Sequence, residues 1–463
     1  MRSSKAVEAI NRAESFRILG KDVKISEDSR TTGLNNNTLV TGISGCGKTG
    51  SYVTPNLYST QGSIVVVDTK GLLYRQSAAA LKRRGYKTCL LDFVHPENSV
   101  PFNPLDTVER YKRKRESVVL PGVWDEDGEE IMPEEIEVFE EEMYRQQDLH
   151  RIAALLQPVN KCEKDPFWPE SAQIVIVSLM AYVLEVLPRR EQHFGSVTRL
   201  FRQMCSEIPK KDFEDVSFFA ALEAEDPDSF AVKKYRMYAP TFPAEKTWAS
   251  IAQFVSNALQ IFDFEESRGM FGKEGIDLSA CGREKTALFV NISDTDRSMD
   301  SIVNIFYTQL FQKLCNEADS YPDGRLRVPV HIMLDDFAAN VYIPDFDKIV
   351  SVIRSRDISV SIMLQSISQL KGLYNEGQAS TIINNCDNMV YMGGQDVETA
   401  RFFADKAGKL PENILQLDLK HEWLFTRGQA ARLLEKIPPY SMGADEVASI
   451  EPAKPVDGSN KEQ

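Results

Sequence analysis

Leu39-Val-Thr-Gly-Ile-Ser-Gly-Cys-Gly-Lys-Thr49 runs from an apolar start into a glycine-rich turn, and its reading decides the fold. Gly42, Gly47, Lys48 and Thr49 stand in the G-x-x-x-x-G-K-[ST] spacing of a phosphate-binding loop. Glycines let the backbone wrap a phosphate, so that successive N–H groups form an anion nest at the start of a helix. The candidate nucleotide-binding residues are therefore Gly42, Ser44, Gly45, Cys46, Gly47, Lys48, Thr49 and Gly50. In such a site Lys48 reaches the β- and γ-phosphates of ATP, and the Thr49 hydroxyl holds Mg²⁺. A plain glycine turn before a helix is the alternative, and the surrounding strand pattern argues against it.

Outward from the loop, Thr38–Thr41 reads as the strand that feeds it, and the helix from Lys48 is expected to stop near Pro55. Ser63-Ile-Val-Val-Val-Asp68 is a β-branched run ending in an acid, as a buried parallel strand would be. Leu72–Arg84 reads as helix and Lys87–Asp92 as strand. This is a βαβ pattern, implying an α/β fold with a mostly parallel sheet and ligands at the carboxyl ends of its strands. Asp68-Thr-Lys-Gly71 stands at one such end.

The pattern is then interrupted. A basic patch, Lys112-Arg-Lys-Arg115, precedes a very acidic stretch, residues 125–142, that reads as a solvated or partly disordered insert, with an interaction surface as the alternative. Helix-like segments follow from Gln147 to about Phe264, the most apolar opening at Asp165-Pro-Phe-Trp-Pro-Glu170 with Pro169 in the first turn. Strands resume at Thr286–Ile292, Val328–Leu334, Ser359–Leu364 and Asn388–Met392, with a helix over Ile302–Ala318. The expected division is residues 1–107 and 266–440 for the nucleotide-binding core, 108–265 for an inserted all-α domain, and 441–463 for a disordered tail.

Val328-Pro-Val-His-Ile-Met-Leu-Asp-Asp336 supplies the second half of the site. At the end of such a strand Asp335 assists Mg²⁺, and Asp336 orients and deprotonates the attacking water. A simple turn-capping role for Asp336 is the alternative. Ile353-Arg-Ser-Arg356 precedes a strand ending at Gln365. A glutamine there can sense the γ-phosphate, and an arginine can reach a neighbouring subunit's phosphate and stabilise transition-state charge. Lys48, Asp336, Arg354 and Gln365 are thus the candidate catalytic residues, with Thr49 and Asp335 as metal ligands. Surface arginines and an ordinary polar strand end are the plainer reading of the last pair.

Composition narrows the partners. A net charge of −14 over 463 residues argues against a generally basic nucleic-acid coat, yet permits a local basic channel. Seven dispersed cysteines without a C-x-x-C pair, and five histidines, read as reduced thiols and no structural metal. The N-terminus is polar, without a signal peptide. The longest apolar run, Ile174–Leu187, is shorter than the roughly 20 residues that cross a bilayer and reads as a buried helix.

The chain resembles the conjugative-transfer coupling ATPases of the TraG/TraD type, the coupling proteins of type IV secretion. The likeness is collinear over about residues 34–430. It rests on Asn35–Thr49, Thr54-Pro-Asn-Leu57, Asp68-Thr-Lys-Gly-Leu-Leu-Tyr74, Phe102-Asn-Pro-Leu105 and Asp165-Pro-Phe-Trp168. It continues through Leu334-Asp-Asp-Phe-Ala338, Ile353–Arg356, Leu364-Gln-Ser-Ile-Ser-Gln369, Asn385-Cys-Asp387 and Met392-Gly-Gly394. The resemblance implies a RecA-like motor core interrupted by an all-α substrate-recognition domain, assembled as a homo-hexameric ring. It further implies ATP hydrolysis with Mg²⁺, and delivery of relaxase-bound single-stranded DNA or effector proteins to a secretion channel. By position Arg354, rather than Arg356, matches the trans-acting arginine, and Gln365 the glutamine sensor. Three departures stand out. The family's N-terminal transmembrane helices are not seen, so a cytoplasmic location held to the membrane by a partner is expected. Asp336 replaces the usual Glu, and Thr69 and Leu72 replace the usual Pro and Glu. Two other functions stay open: a nucleotide-gated cargo adaptor with little hydrolysis, and a different RecA-like DNA motor.

Overall fold

The computed structural model describes residues 15–116, 127, 138–159, 165–208, 213–337 and 342–449. The chain forms two compact units, Met1–Phe102 with Ile276–Gln463, and Asn103–Gly275. The boundaries fall at 102/103 and 275/276, where the sequence reading set 107/108 and 265/266. In chain order the first unit lays down β1 (Phe16–Gly20), β2 (Val23–Ser26), β3 (Thr38–Thr41), β4 (Ser63–Val67) and β5 (Lys87–Asp92). The second unit contributes β6 (Arg110–Glu116) and β7 (Val138–Tyr144). The chain then returns with β8 (Thr286–Asn291), β9 (Val330–Leu334), β10 (Ile358–Leu364), β11 (Asn388–Tyr391), β12 (His421–Thr426) and β13 (Arg432–Glu435).

Nine strands make the main sheet, in the order β13-β12-β11-β3-β10-β9-β4-β8-β5. From β11 to β5 every pairing is parallel; β12 and β13 add on antiparallel at one edge. The inner strand β4 is buried on both faces, which is why it reads Ser-Ile-Val-Val-Val without alternation. Each such aliphatic side chain contributes on the order of 2 kcal/mol through removal from water. Register sets the site: Leu364 pairs with Thr41, and Ile362 with Leu334, so the ends of β3, β10 and β9 come up side by side.

The helix after the loop does not stop at Pro55. Residues Lys48–Val53 are wound as π-helix, and an α-helix continues over Thr54–Ser59 with Pro55 in its first turn. Proline has no N–H to donate, so it sits where the hydrogen-bonding register changes, with Thr54 N–H bonded five residues back to Thr49 O. The C-terminal tail also departs from expectation. Residues Ala444–Ala448 form a helix with Val447 buried in the main core, whereas residues 450–463 lie outside the described residues.

The second unit is mainly helical but not all-α. Its 20-residue helix Phe167–Val186 is the one helix among the described residues long and apolar enough to span a bilayer, and thirteen of its residues are buried within the unit. Helices Gln146–Leu156, Phe194–Glu207, Phe230–Tyr238 and Glu245–Leu259 pack around it. An aromatic cluster adds to this packing, with Tyr235 stacked on Phe219 at 4.1 Å between centroids and Trp248 edge-on to Phe242 at 4.9 Å.

The exception to helix is the β6–β7 ribbon, in which Lys112 pairs with Glu142, Arg113 with Glu141 and Lys114 with Glu140. Across the ribbon Lys112 Nζ donates to Glu140 Oε2 at 2.7 Å and Arg110 to Glu142 at 3.4 Å, opposite charges on neighbouring strands. Only Asp127 and residues from 138 onward in the acidic stretch are described; the rest, like Cys162, lies outside the described residues.

At the antiparallel edge of the main sheet, Glu422 of β12 is 2% exposed, and its Oε2 has no hydrogen-bond partner. Burial pushes its carboxyl up to about 8 from 4.5, against the pull of the Lys436 charge. Between those two pH values the folded state holds a proton that the unfolded chain has lost, so stability falls as pH rises through that window. Glu422→Gln is expected to remove this slope and raise stability at pH 8 by about 2–4 kcal/mol, read from urea unfolding at pH 5 and 8. Parallel pH dependence in both proteins would contradict this.

Candidate functional site

The loop after β3 is built by close approaches. Gly47 adopts φ +102°, a left-handed conformation that glycine takes without penalty. Gly50 lies under Pro439: a Cβ added to it would come within 2.8 Å of the proline ring and 3.0 Å of Tyr440 Cε2. The loop is tied to its neighbours by Gly42 N–H to Leu364 O at 3.0 Å and Ile43 N–H to Gly393 O at 3.1 Å. Lys48 is buried, and its ammonium donates to the carbonyls of Gly42 at 2.8 Å and Ile43 at 3.4 Å.

The acids after β9 arrive opposite. Thr49 Oγ1 donates to Asp335 Oδ2 at 2.5 Å, and Asp336 N–H donates to Asp335 Oδ1 at 3.0 Å. Burial holds the Asp335 carboxyl above its ordinary range; the Thr49 hydroxyl pulls against it, and the neighbouring Asp336 charge adds to it. Asp336 Oδ1 stands 3.7 Å from Lys48 Nζ and accepts no hydrogen bond. Its backbone lies at φ +47°, in the left-handed region that aspartate tolerates better than most side chains. That backbone accounts for aspartate here: glutamate would take the same turn at greater cost and reach one methylene further. The residues a turn-capping Asp336 would reach, 338–341, lie outside the described residues.

Ser44, Gly45, Gly47, Lys48, Thr49, Gly50, Asp335 and Asp336 line one cleft. Gly42 supplies the carbonyl that fixes Lys48, while the Cys46 thiol turns from the cleft toward Gly42 and is pushed up in pKa by burial. Sequence reasoning noted the Asp68–Gly71 strand end but named none of its residues as ligands. Lys70, Leu72 and Gln76 line the cleft, with Asp68 buried and accepting the N–H groups of Leu72 and Tyr74. Pro439 and Tyr440 were missed altogether, because nothing local marks a segment that joins the site from the far end of the chain.

Gln365 sits at the tip of β10, one residue past Leu364, but does not line this cleft. Arg354 precedes β10 at the other end of the strand, roughly 20 Å away along seven residues. It is exposed and donates to Gly33 O at 3.0 Å, with no carboxylate partner among the described residues. Arg356, by contrast, is held by Asp319 at 2.8 Å. The phosphate loop and Arg354 of one chain therefore do not meet.

A buried polar chain runs between those two regions. Arg17, 2% exposed, pairs with Glu27 and approaches His331 Nδ1 at 2.8 Å. His331 Nε2 lies 2.9 Å from Ser361 Oγ, which lies 2.8 Å from the Tyr52 hydroxyl on the loop helix. Burial and the Arg17 charge keep His331 well below its ordinary pKa, hence neutral.

A mostly parallel sheet with a glycine loop at the end of an inner strand, and paired acids at the end of a strand two places away, defines a RecA-like P-loop core. The family model for type IV secretory system conjugative DNA transfer matches residues 10–412, and the chain belongs to that family. Among solved structures, the plasmid coupling protein TrwB in complex with ADP and Mg²⁺ is similar at TM-score 0.61 and 13% identity, over 97% of this chain and 96% of that one. The unbound bacterial conjugative coupling protein TrwBdeltaN70 gives TM-score 0.61 and 14% identity, over 93% and 90%. VirB4 of Thermoanaerobacter pseudethanolicus gives 0.51 and 10%, over 92% and 97%. No protein of curated function matches the sequence.

Proposed function

We propose that this chain is an ATP-driven coupling protein that delivers relaxase-bound single-stranded DNA, or protein cargo, to a type IV secretion channel. The observation that carries the reading is the convergence of Lys48 and Thr49 with Asp335 and Asp336 at the ends of two strands. The donor set fits the group it would hold: two adjacent hard oxygens, Thr49 Oγ1 and Asp335 Oδ2, suit Mg²⁺, which prefers carboxylate and hydroxyl oxygens and keeps several waters. When bound, Mg²⁺ supplies charge neutralisation at the β- and γ-phosphates of ATP.

The chain's own groups do the rest. Loop N–H groups bind phosphate oxygens, and Lys48 exchanges its carbonyl partners for phosphate. Asp336, with an unengaged carboxylate oxygen, takes the proton of the attacking water. Arg354 faces away from its own chain's loop, as a residue completing a neighbour's site in a homo-hexameric ring must. Gln365 reports on the γ-phosphate from the tip of β10. DNA contact is with the backbone and so weakens with salt. The protein works in the cytoplasm, held to the membrane by a partner.

Asp336→Asn is expected to lower turnover by about 100-fold or more, the usual range for losing a general base, with ATP affinity changed only a few-fold. Unchanged turnover in steady-state kinetics would remove Asp336 from the chemistry. One observation favours a second reading. The Asp336 carboxylate is drawn toward Lys48 in a left-handed turn, as suits a nucleotide-gated adaptor that hydrolyses little. A large gain in turnover on Asp336→Glu would favour the adaptor; a loss would favour a site tuned around aspartate.

A further inference from the structure

Tyr440 stands apart from the residues expected of a phosphate loop. It adopts φ +59°, a backbone conformation that side chains other than Gly, Asn and Asp rarely take. Its N–H is bonded to Gly50 O at 3.1 Å, and its ring edge would lie 3.0 Å from a Cβ on Gly50. The residue is 60% exposed, and the ring has no aromatic or cationic neighbour among the described residues. It lines the same cleft as Lys48 and Thr49. A large apolar ring held in the open by an unfavourable backbone is an outlier of the kind that marks ligand clamps.

Position along the loop says what it would clamp. In a phosphate loop the lysine serves the β- and γ-phosphates, and the backbone N–H groups cradle the α- and β-phosphates. The chain Lys48-Thr49-Gly50 thus runs from the terminal phosphates toward the nucleoside, and Tyr440 lies beside Gly50. We propose that Tyr440 is the stacking platform for the nucleobase, its π face covering one side of the ring while Pro439 holds the segment against Gly50. This inference rests on the nucleotide reading above and adds the part of the site that receives the nucleoside. Every base has a π face, so stacking favours no purine over another, and ATP and GTP are held alike.

The test compares ATP, GTP and inorganic tripolyphosphate, each with Mg²⁺, by titration calorimetry on the full chain. Tyr440→Gly is the informative variant, because glycine takes the positive φ without strain and keeps the N–H bond to Gly50. It is expected to weaken ATP and GTP by about ten-fold, the scale of one lost base–aromatic stack, while tripolyphosphate binds as before. Tyr440→Phe should retain wild-type affinity for all three. Equal weakening of tripolyphosphate would overturn the proposal, because the residue would then merely support the loop; so would unchanged ATP binding, or a Phe variant as weak as Gly. If the wild-type protein binds neither nucleotide, or if Lys48→Ala binds ATP as tightly as wild type, the nucleotide reading itself fails.

Discussion

Lys48→Ala is expected to abolish ATP hydrolysis and to weaken ATP binding by about 100-fold, the cost of two charge-assisted phosphate contacts. The lysine is buried, and among the described residues its ammonium meets the carbonyls of Gly42 and Ile43 and the carboxylate of Asp336. It is a pre-placed cation at the centre of the loop, whose neighbours orient it without saturating it. Alanine removes that charge and leaves the loop backbone, whose N–H groups alone bind phosphate weakly. Hydrolysis should be measured with and without single-stranded DNA at two salt concentrations. Stimulation that weakens with salt and vanishes in the variant is the expected pattern for a DNA-coupled motor. Wild-type hydrolysis by Lys48→Ala would mean that the activity arises elsewhere.

Arg17→Met should destabilise the protein by about 3–5 kcal/mol, because removing one partner of a buried ion pair strands the other. Glu27 would lose its cation, and His331 Nδ1 would keep Ser359 Oγ at 2.7 Å but lose the Arg17 guanidinium. The effect should appear as a lower unfolding midpoint in urea at pH 7. Glu27→Gln combined with Arg17→Met should recover part of it, since no uncompensated charge then remains. A loss under 1 kcal/mol for the single variant would mean that water already screens the pair. This network is invisible to pattern reading, because Arg17, His331, Ser361 and Tyr52 belong to four separate segments and none carries a local signature.

What was legible follows from period and punctuation. The doubly buried strands β3, β4, β9, β10 and β11 announce themselves as short apolar runs, because both faces meet helices and no alternation is needed. The edge strands do not. β13, Arg-Leu-Leu-Glu, is largely exposed, and β12 mixes His, Glu and Trp, so neither has a periodic signal. The ribbon β6–β7 was hidden for another reason. Its strand character comes from pairing Lys and Arg with Glu across 28 residues or so of sequence, and charge runs read one at a time look like solvated chain. The tail helix is held by few apolar contacts, Val447 buried in the core and Ala444 packed against it, which a composition rich in Pro, Glu and Ser outweighs. In the candidate site, the loop and the paired acids were readable because each sits at a strand end, whereas Pro439 and Tyr440 reach the cleft only through the tertiary fold.

The contact of Tyr440 with Gly50 has a consequence for the chain as it is made. Thr49 leaves the ribosome early, but the residues that close over it follow about 390 positions later, after the whole second unit has been synthesised. At the ordinary pace of translation, roughly 5–20 residues per second, a growing chain carries an open phosphate loop for some tens of seconds. Any truncated product ending before Ile437 shares that condition permanently: it keeps the loop sequence yet lacks the wall beside it. Completion of the nucleotide cleft thereby waits on the synthesis of Pro439 and Tyr440.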